Sequence, residues 1–178
     1  MEQLIKKFRN SRSNLLLLVI ITAINVILYV SKSDISFMFS AFAPMYVLLC
    51  HTILNFDGAF PSPDNPDYDF KGTINIEGIV FAIAIIAIFF ACYLLSKKYR
   101  SFILVALILF IVDTLILVWV AIKRYGFDTD MLVNLAFHAW ILYYLINGVI
   151  AWAKLRKFSL EEIVETEIIM NREDKEVN

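Results

Sequence analysis

Four stretches of this chain, Ser13–Val30, Ile76–Leu95, Phe102–Ile122 and Met131–Trp152, are each apolar for long enough to cross a bilayer. A crossing takes about 20 residues of helix. Backbone polar groups in hydrocarbon must be satisfied within the protein, which leaves helices or a closed barrel. The four runs are continuous rather than alternating, and that selects helices. Hydrophobic residues make up 60% of the 178 positions. The expected fold is therefore an all-α integral membrane protein, a four-transmembrane-helix bundle with no room for a second globular unit.

The first run reads as a retained helix. Its basic lead, residues 1–12, resembles the start of a signal peptide, but no small-residue cleavage site follows the apolar core. Leu4, Ile5 and Phe8 share one side of that lead, among Lys6, Lys7, Arg9 and Arg12, which suits a short helix lying on anionic lipid. A plain basic flank that fixes topology explains it equally.

A fifth apolar stretch, 35–55, contains Pro44 and a polar line of Ser36, Ser40, His51 and Asn55. Charge decides how to place it, because cytoplasmic loops carry the Lys/Arg excess. With 35–55 re-entrant or interfacial and the N-terminus inside, Lys6, Lys7, Arg9, Arg12, Lys97, Lys98, Arg100, Lys154, Arg156 and Lys157 lie inside. Only Lys32, Lys71, Lys123 and Arg124 then lie outside, ten against four. Letting 35–55 cross gives seven against seven. The four-span reading puts both termini in the cytoplasm and the acidic, proline-rich loop 56–75 outside. Its aspartates lack calcium-loop spacing and read as a solvated loop.

The membrane domain spans 13–153, and an acidic tail occupies 154–178. Ser159 and Glu162 stand at capping-box spacing, so a short amphipathic helix is expected there, with Leu160, Ile163, Val164 and Ile168 along one side and fraying from about Asn171. Its acidic face favours the protein's own basic loops, or a partner, over anionic lipid.

Two titratable residues interrupt the last two spans: Asp113 and His138. The short connection "KRYGFDTD" makes these spans an antiparallel hairpin, in which residues equally far from the turn lie at equal depth. Both side chains are then about 10–12 Å below the helix ends at 1.5 Å per residue. An ionisable group facing lipid costs on the order of 3 kcal/mol, so both are expected to face inward and meet. Asn25, Asn134, Thr114, Glu77 and, through a re-entrant 35–55, His51 fall near the same level. Ala84, Ala87 and Ala91 form a small-residue face that permits close helix approach. The expected site is an outward-opening polar pocket above an apolar, tightly packed half.

Three functions suit such a site. It can bind a proton, a cation or a lipid head group, as a transport or accessory subunit. It can be interhelical glue in a structural subunit. It can be a metal- or acid/base-dependent hydrolase, with Asp113, His138 and His51 or Glu77 as conceivable ligands and Ser36, Ser40 or Cys50 as nucleophile. No HExxH, GxSxG or comparable motif supports catalysis. Cys50 and Cys92 are too far apart for a CxxC unit. No resident cofactor is expected. The bilayer is the expected partner, with a homo-oligomer or a second membrane protein possible, and a near-zero net charge gives no footprint for nucleic acid.

The segments "FMFSAFAPMY" and "LFIVDTLILVW … LAFHAWILYYLINGVIAWAKLRK" resemble a group of small integral membrane proteins of Gram-positive bacteria. That resemblance implies a multi-pass plasma-membrane protein and carries no activity or site residues with it.

Overall fold

Apolar runs without interior proline become long helices, because each backbone group finds its partner four residues away. In a computed structural model of the protein, residues 1–31, 33, 39–50, 76–125 and 129–176 are described. The long helices are α1 (Glu2–Val30), α3 (Ile76–Lys98), α4 (Phe102–Val120) and α5 (Thr129–Leu155). A π-helical turn, Ala121–Tyr125, extends α4. A short helix, α2, covers Phe42–Cys50, and α6 covers Leu160–Glu176. No strand occurs among the described residues. The segments Glu2–Val30, Ile76–Lys98, Phe102–Lys123 and Met131–Leu155 are long and apolar enough to cross a membrane.

The long helices close a ring: α1 packs on α3 and α5, and α4 packs on the same two. Leu15 and Leu18 of α1, Phe89 of α3, Ile103 and Phe110 of α4, and Ile141 and Leu145 of α5 fill its interior. The outward faces carry Ile83, Ile88, Ile108, Leu115, Tyr143 and Ile150, all exposed. So large a continuous apolar surface is a liability in water and ordinary in lipid.

Cross-links fix the helix directions. Arg12 Nε donates to Ser96 Oγ at 2.9 Å, joining the start of α1 to the end of α3. A Cβ placed on Gly148 would collide with the Ser11 side chain and come within 3.3 Å of Ile103, so α1, α4 and α5 meet there at close range. The basic clusters flanking the spans therefore gather at one end of the ring, here termed the basic end. The end of α1, the start of α3 and the α4–α5 connection lie at the opposite end.

Three local expectations change. The lead does not form a separate surface helix, because α1 runs unbroken from Glu2 and buries Ile5 and Phe8 in the common core. The close-approach face of α3 is Gly78, Ala82, Phe89, Cys92 and Ser96. Ala84, Ala87 and Ala91 lie on exposed positions, about half a turn round the helix from that face. In the tail, the capping box forms as its spacing predicts: Ser159 N donates to Glu162 Oε2 at 2.9 Å, and Glu162 N donates to Ser159 Oγ at 3.2 Å. The helix continues past Asn171 to Glu176. It buries Ile163 and Met170 in the core shared with Ile5, Phe8 and Leu155, while Val164 and Ile168 stay exposed.

The described part of the 35–55 stretch, residues 39–50, contains α2, held among α1, α3 and α4. At nine residues it is about 13 Å long, well short of a crossing. Its first turn lies beside Thr22 in the middle of α1, and its second half lies beside Gly78 at the opposite end. Val26, Leu48 and Ala82 form a small apolar cluster that seats it. A Cβ on Gly78 would stand 3.3 Å from the Val47 carbonyl oxygen and 3.5 Å from Leu48 Cα. The missing side chain is what lets the two backbones meet.

Candidate functional site

The equal-depth argument for the α4–α5 hairpin holds in its chemical consequence. His138 Nε2 lies 2.9 Å from Asp113 Oδ2, and both residues are buried, at 0% and 2% exposure. Phe110 stacks on the imidazole with ring centroids 5.0 Å apart, and Phe137 meets it edge-on at 6.2 Å. Apolar rings on two sides and the carboxylate on a third leave the imidazole no room to turn.

Asp113 has two further partners. Phe42 N donates to its Oδ2 at 3.0 Å, and Ala43 N donates to its Oδ1 at 2.6 Å. One residue earlier, Ala41 N donates to Thr22 Oγ1 at 2.9 Å. The first amides of a helix have no intrahelical acceptor and need one from elsewhere. In α2 these amides are supplied from α4 and α1, and the next residue, Pro44, has no N–H to satisfy. A carboxylate at a helix N-terminus is also favoured by the helix dipole. Asp113 is thus the N-terminal cap of α2, delivered from another helix.

The carbonyl beside Nδ1 favours one placement of hydrogen on the imidazole. His138 Nδ1 lies 2.9 Å from the Asn134 backbone carbonyl oxygen. A carbonyl can only accept, so a hydrogen on Nδ1 makes this contact favourable and a lone pair there makes it repulsive. With Nδ1 protonated, the contact between Nε2 and Oδ2 needs one more proton. That proton can be drawn on nitrogen, as an imidazolium–carboxylate pair, or on oxygen, as an imidazole–carboxylic acid pair. The pair is neutral either way.

The other candidate residues join this centre unequally. Asn134 contributes its backbone carbonyl, while its side-chain Oδ1 is buried without a hydrogen-bond partner among the described residues. Thr114 turns its hydroxyl back to the Phe110 carbonyl at 2.8 Å and serves its own helix. Asn25 is buried in α1 with a contact of its own. Glu77 is exposed in the first turn of α3, beside Gly78 and hence by the second half of α2. His51 lies outside the described residues. Thr22 also belongs to this region, and its signal in the sequence is slight, a lone hydroxyl in an apolar run three residues before Asn25.

Among the described residues, the first turn of α2 lies against the pair and gives its amides to the carboxylate. Asp113 also borders a crevice of about 240 Å³ between α2, α3 and α4, walled by Ala43, Tyr46, Ile85, Phe89 and Val112 among others. No group of three or more His, Cys, Asp or Glu side chains suited to a metal ion occurs among the described residues.

Fold and surface together define a multi-pass, all-α membrane protein. No protein-family model, curated protein or solved structure matches the chain.

Proposed function

We propose that this is a non-catalytic bacterial plasma-membrane protein that holds a proton between Asp113 and His138, and that this protonated pair is the latch seating α2. In this reading α2 re-enters from the extracytoplasmic side and both termini are cytoplasmic, as the Lys/Arg gathered at the basic end favour. The observation that carries the reading is that one carboxylate takes the amides of Phe42 and Ala43 and the imidazole of His138 at once. The proton state of the pair and the position of α2 are then physically linked.

The same contacts weigh against the other chemistries. A bound cation would have to displace two amides and an imidazole from a carboxylate that they already occupy. A hydrolytic base needs a ring nitrogen free to take a proton from a nucleophile. Here Nε2 faces Asp113 and Nδ1 faces the Asn134 carbonyl. A second reading, that the protein also receives an acyl chain, is favoured by the apolar crevice beside Asp113, whose wall α2 supplies in part.

Ser40, 5% exposed just before α2, reports whether the latch is closed. In a background lacking Cys50 and Cys92, Ser40→Cys is expected to react slowly with N-ethylmaleimide. Adding Asp113→Asn should raise the rate by about tenfold or more, the factor for losing about 1.4 kcal/mol of seating energy. Equal rates with and without Asp113→Asn would end the latch reading.

A further inference from the structure

At the basic end, a second cavity of about 200 Å³ lies between α1 and the α3–α4 turn, lined by Ile5, Phe8, Arg9, Arg12, Lys97, Arg100 and, from α6, Met170. Four of these side chains are cationic and none is acidic. Arg12 is fixed in place: its Nε is bonded to Ser96 Oγ, and its guanidinium lies 5.2 Å from the centroid of the Tyr93 ring. Among the described residues neither contact uses the Nη groups, and a guanidinium presents them in a fork that matches two oxygens of a phosphate. Lys97 is exposed and has no hydrogen-bond or ion-pair partner among the described residues. Arg9 and Arg100 each hold another contact as well.

Cations drawn from three places in the chain around one cavity repel each other, and a multiply oxygenated anion relieves that repulsion. The level of the cavity identifies which anion is within reach. Arg12 immediately precedes the apolar run from Ser13, and Lys97 and Arg100 lie in the short turn between the run that ends at Leu95 and the run that starts at Phe102. Lipid phosphates lie at this boundary between hydrocarbon and water. Ile5, Phe8 and Met170 give the cavity an apolar side, which suits the glycerol end of a lipid better than bulk water. We propose that this cavity binds a phosphate group, presented by an anionic phospholipid head group or free in solution. This site is independent of the Asp113–His138 latch.

The test is thermal unfolding of the full-length protein in a non-ionic detergent at constant ionic strength. The probes are dioctanoyl phosphatidylglycerol, inorganic phosphate and, as a phosphate-free control, dioctanoylglycerol. A ligand of the folded state raises Tm in a saturable way. Phosphatidylglycerol is expected to do so and dioctanoylglycerol not. A matching response to inorganic phosphate identifies the phosphate alone as sufficient, and no such response identifies the head group. The double variant Arg9→Gln/Lys97→Gln, altered at two exposed side chains, should need about tenfold more probe for half the effect, about 1.4 kcal/mol of binding energy. No saturable rise with either phosphate probe, or an equal response in the double variant, would overturn the site.

Discussion

Asp113 holds three partners at once, the amides of Phe42 and Ala43 and the imidazole of His138, and each loses that contact without it. Asp113→Ala should therefore destabilise the fold by about 3–5 kcal/mol, the usual cost of removing one member of a buried charged network. Thr22→Val keeps the shape and removes one acceptor from the Ala41 amide, so a smaller loss of about 1–3 kcal/mol is expected. Thermal or denaturant unfolding in detergent ranks the two, and an Asp113→Ala protein as stable as Thr22→Val would contradict the capping role. The meeting of Asp113 with His138 was legible in the sequence, because a short hairpin sets depth and the cost of facing lipid sets rotation. The amide partners of Asp113 were not. They come from a segment some 70 positions away, and the local clue was slight: Pro44 stands where a helix tolerates a missing N–H, in its first turn.

Among the elements, glycine positions decide how closely helices approach. Gly148 sits against Ser11, so Gly148→Leu should force α1 from α5 and lower Tm sharply. Gly148→Ala tests the same contact with a single methyl, and a Tm unchanged in both variants would mean that the two helices do not meet there. Gly78 faces backbone atoms of α2, which have no rotamer to yield. Gly78→Leu is expected to unseat α2, read as faster labelling of Ser40→Cys, while leaving the four long helices intact by circular dichroism. The four spans could be read from the sequence because length and apolarity alone specify them. Rotation about the helix axis could not, since α3 carries small residues on two faces. Ala84, Ala87 and Ala91 offered a regular pattern, yet Gly78, Ala82 and Cys92 are the residues the neighbouring helices cover. The capping box of α6 was legible for the opposite reason, being complete within four adjacent residues.

For the whole molecule, the ring of helices places most of the positive charge flanking the spans at one end and the seat of α2 in the other half. If the basic end is cytoplasmic, a membrane-impermeant maleimide applied to intact cells should modify Thr129→Cys and spare Lys98→Cys; the reverse pattern would invert the molecule. The apolar core holds the helices together, and in the proposed latch the seating of α2 depends on the contact between Asp113 and His138. The chain has two histidines, so a His51→Gln variant labelled with 15N-histidine gives the NMR spectrum of a single imidazole. A proton on Nδ1 and a hydrogen-bonded Nε2 whose signal moves on Asp113→Asn are the expected result. An Nδ1 without a proton, or a spectrum indifferent to Asp113→Asn, would contradict the latch.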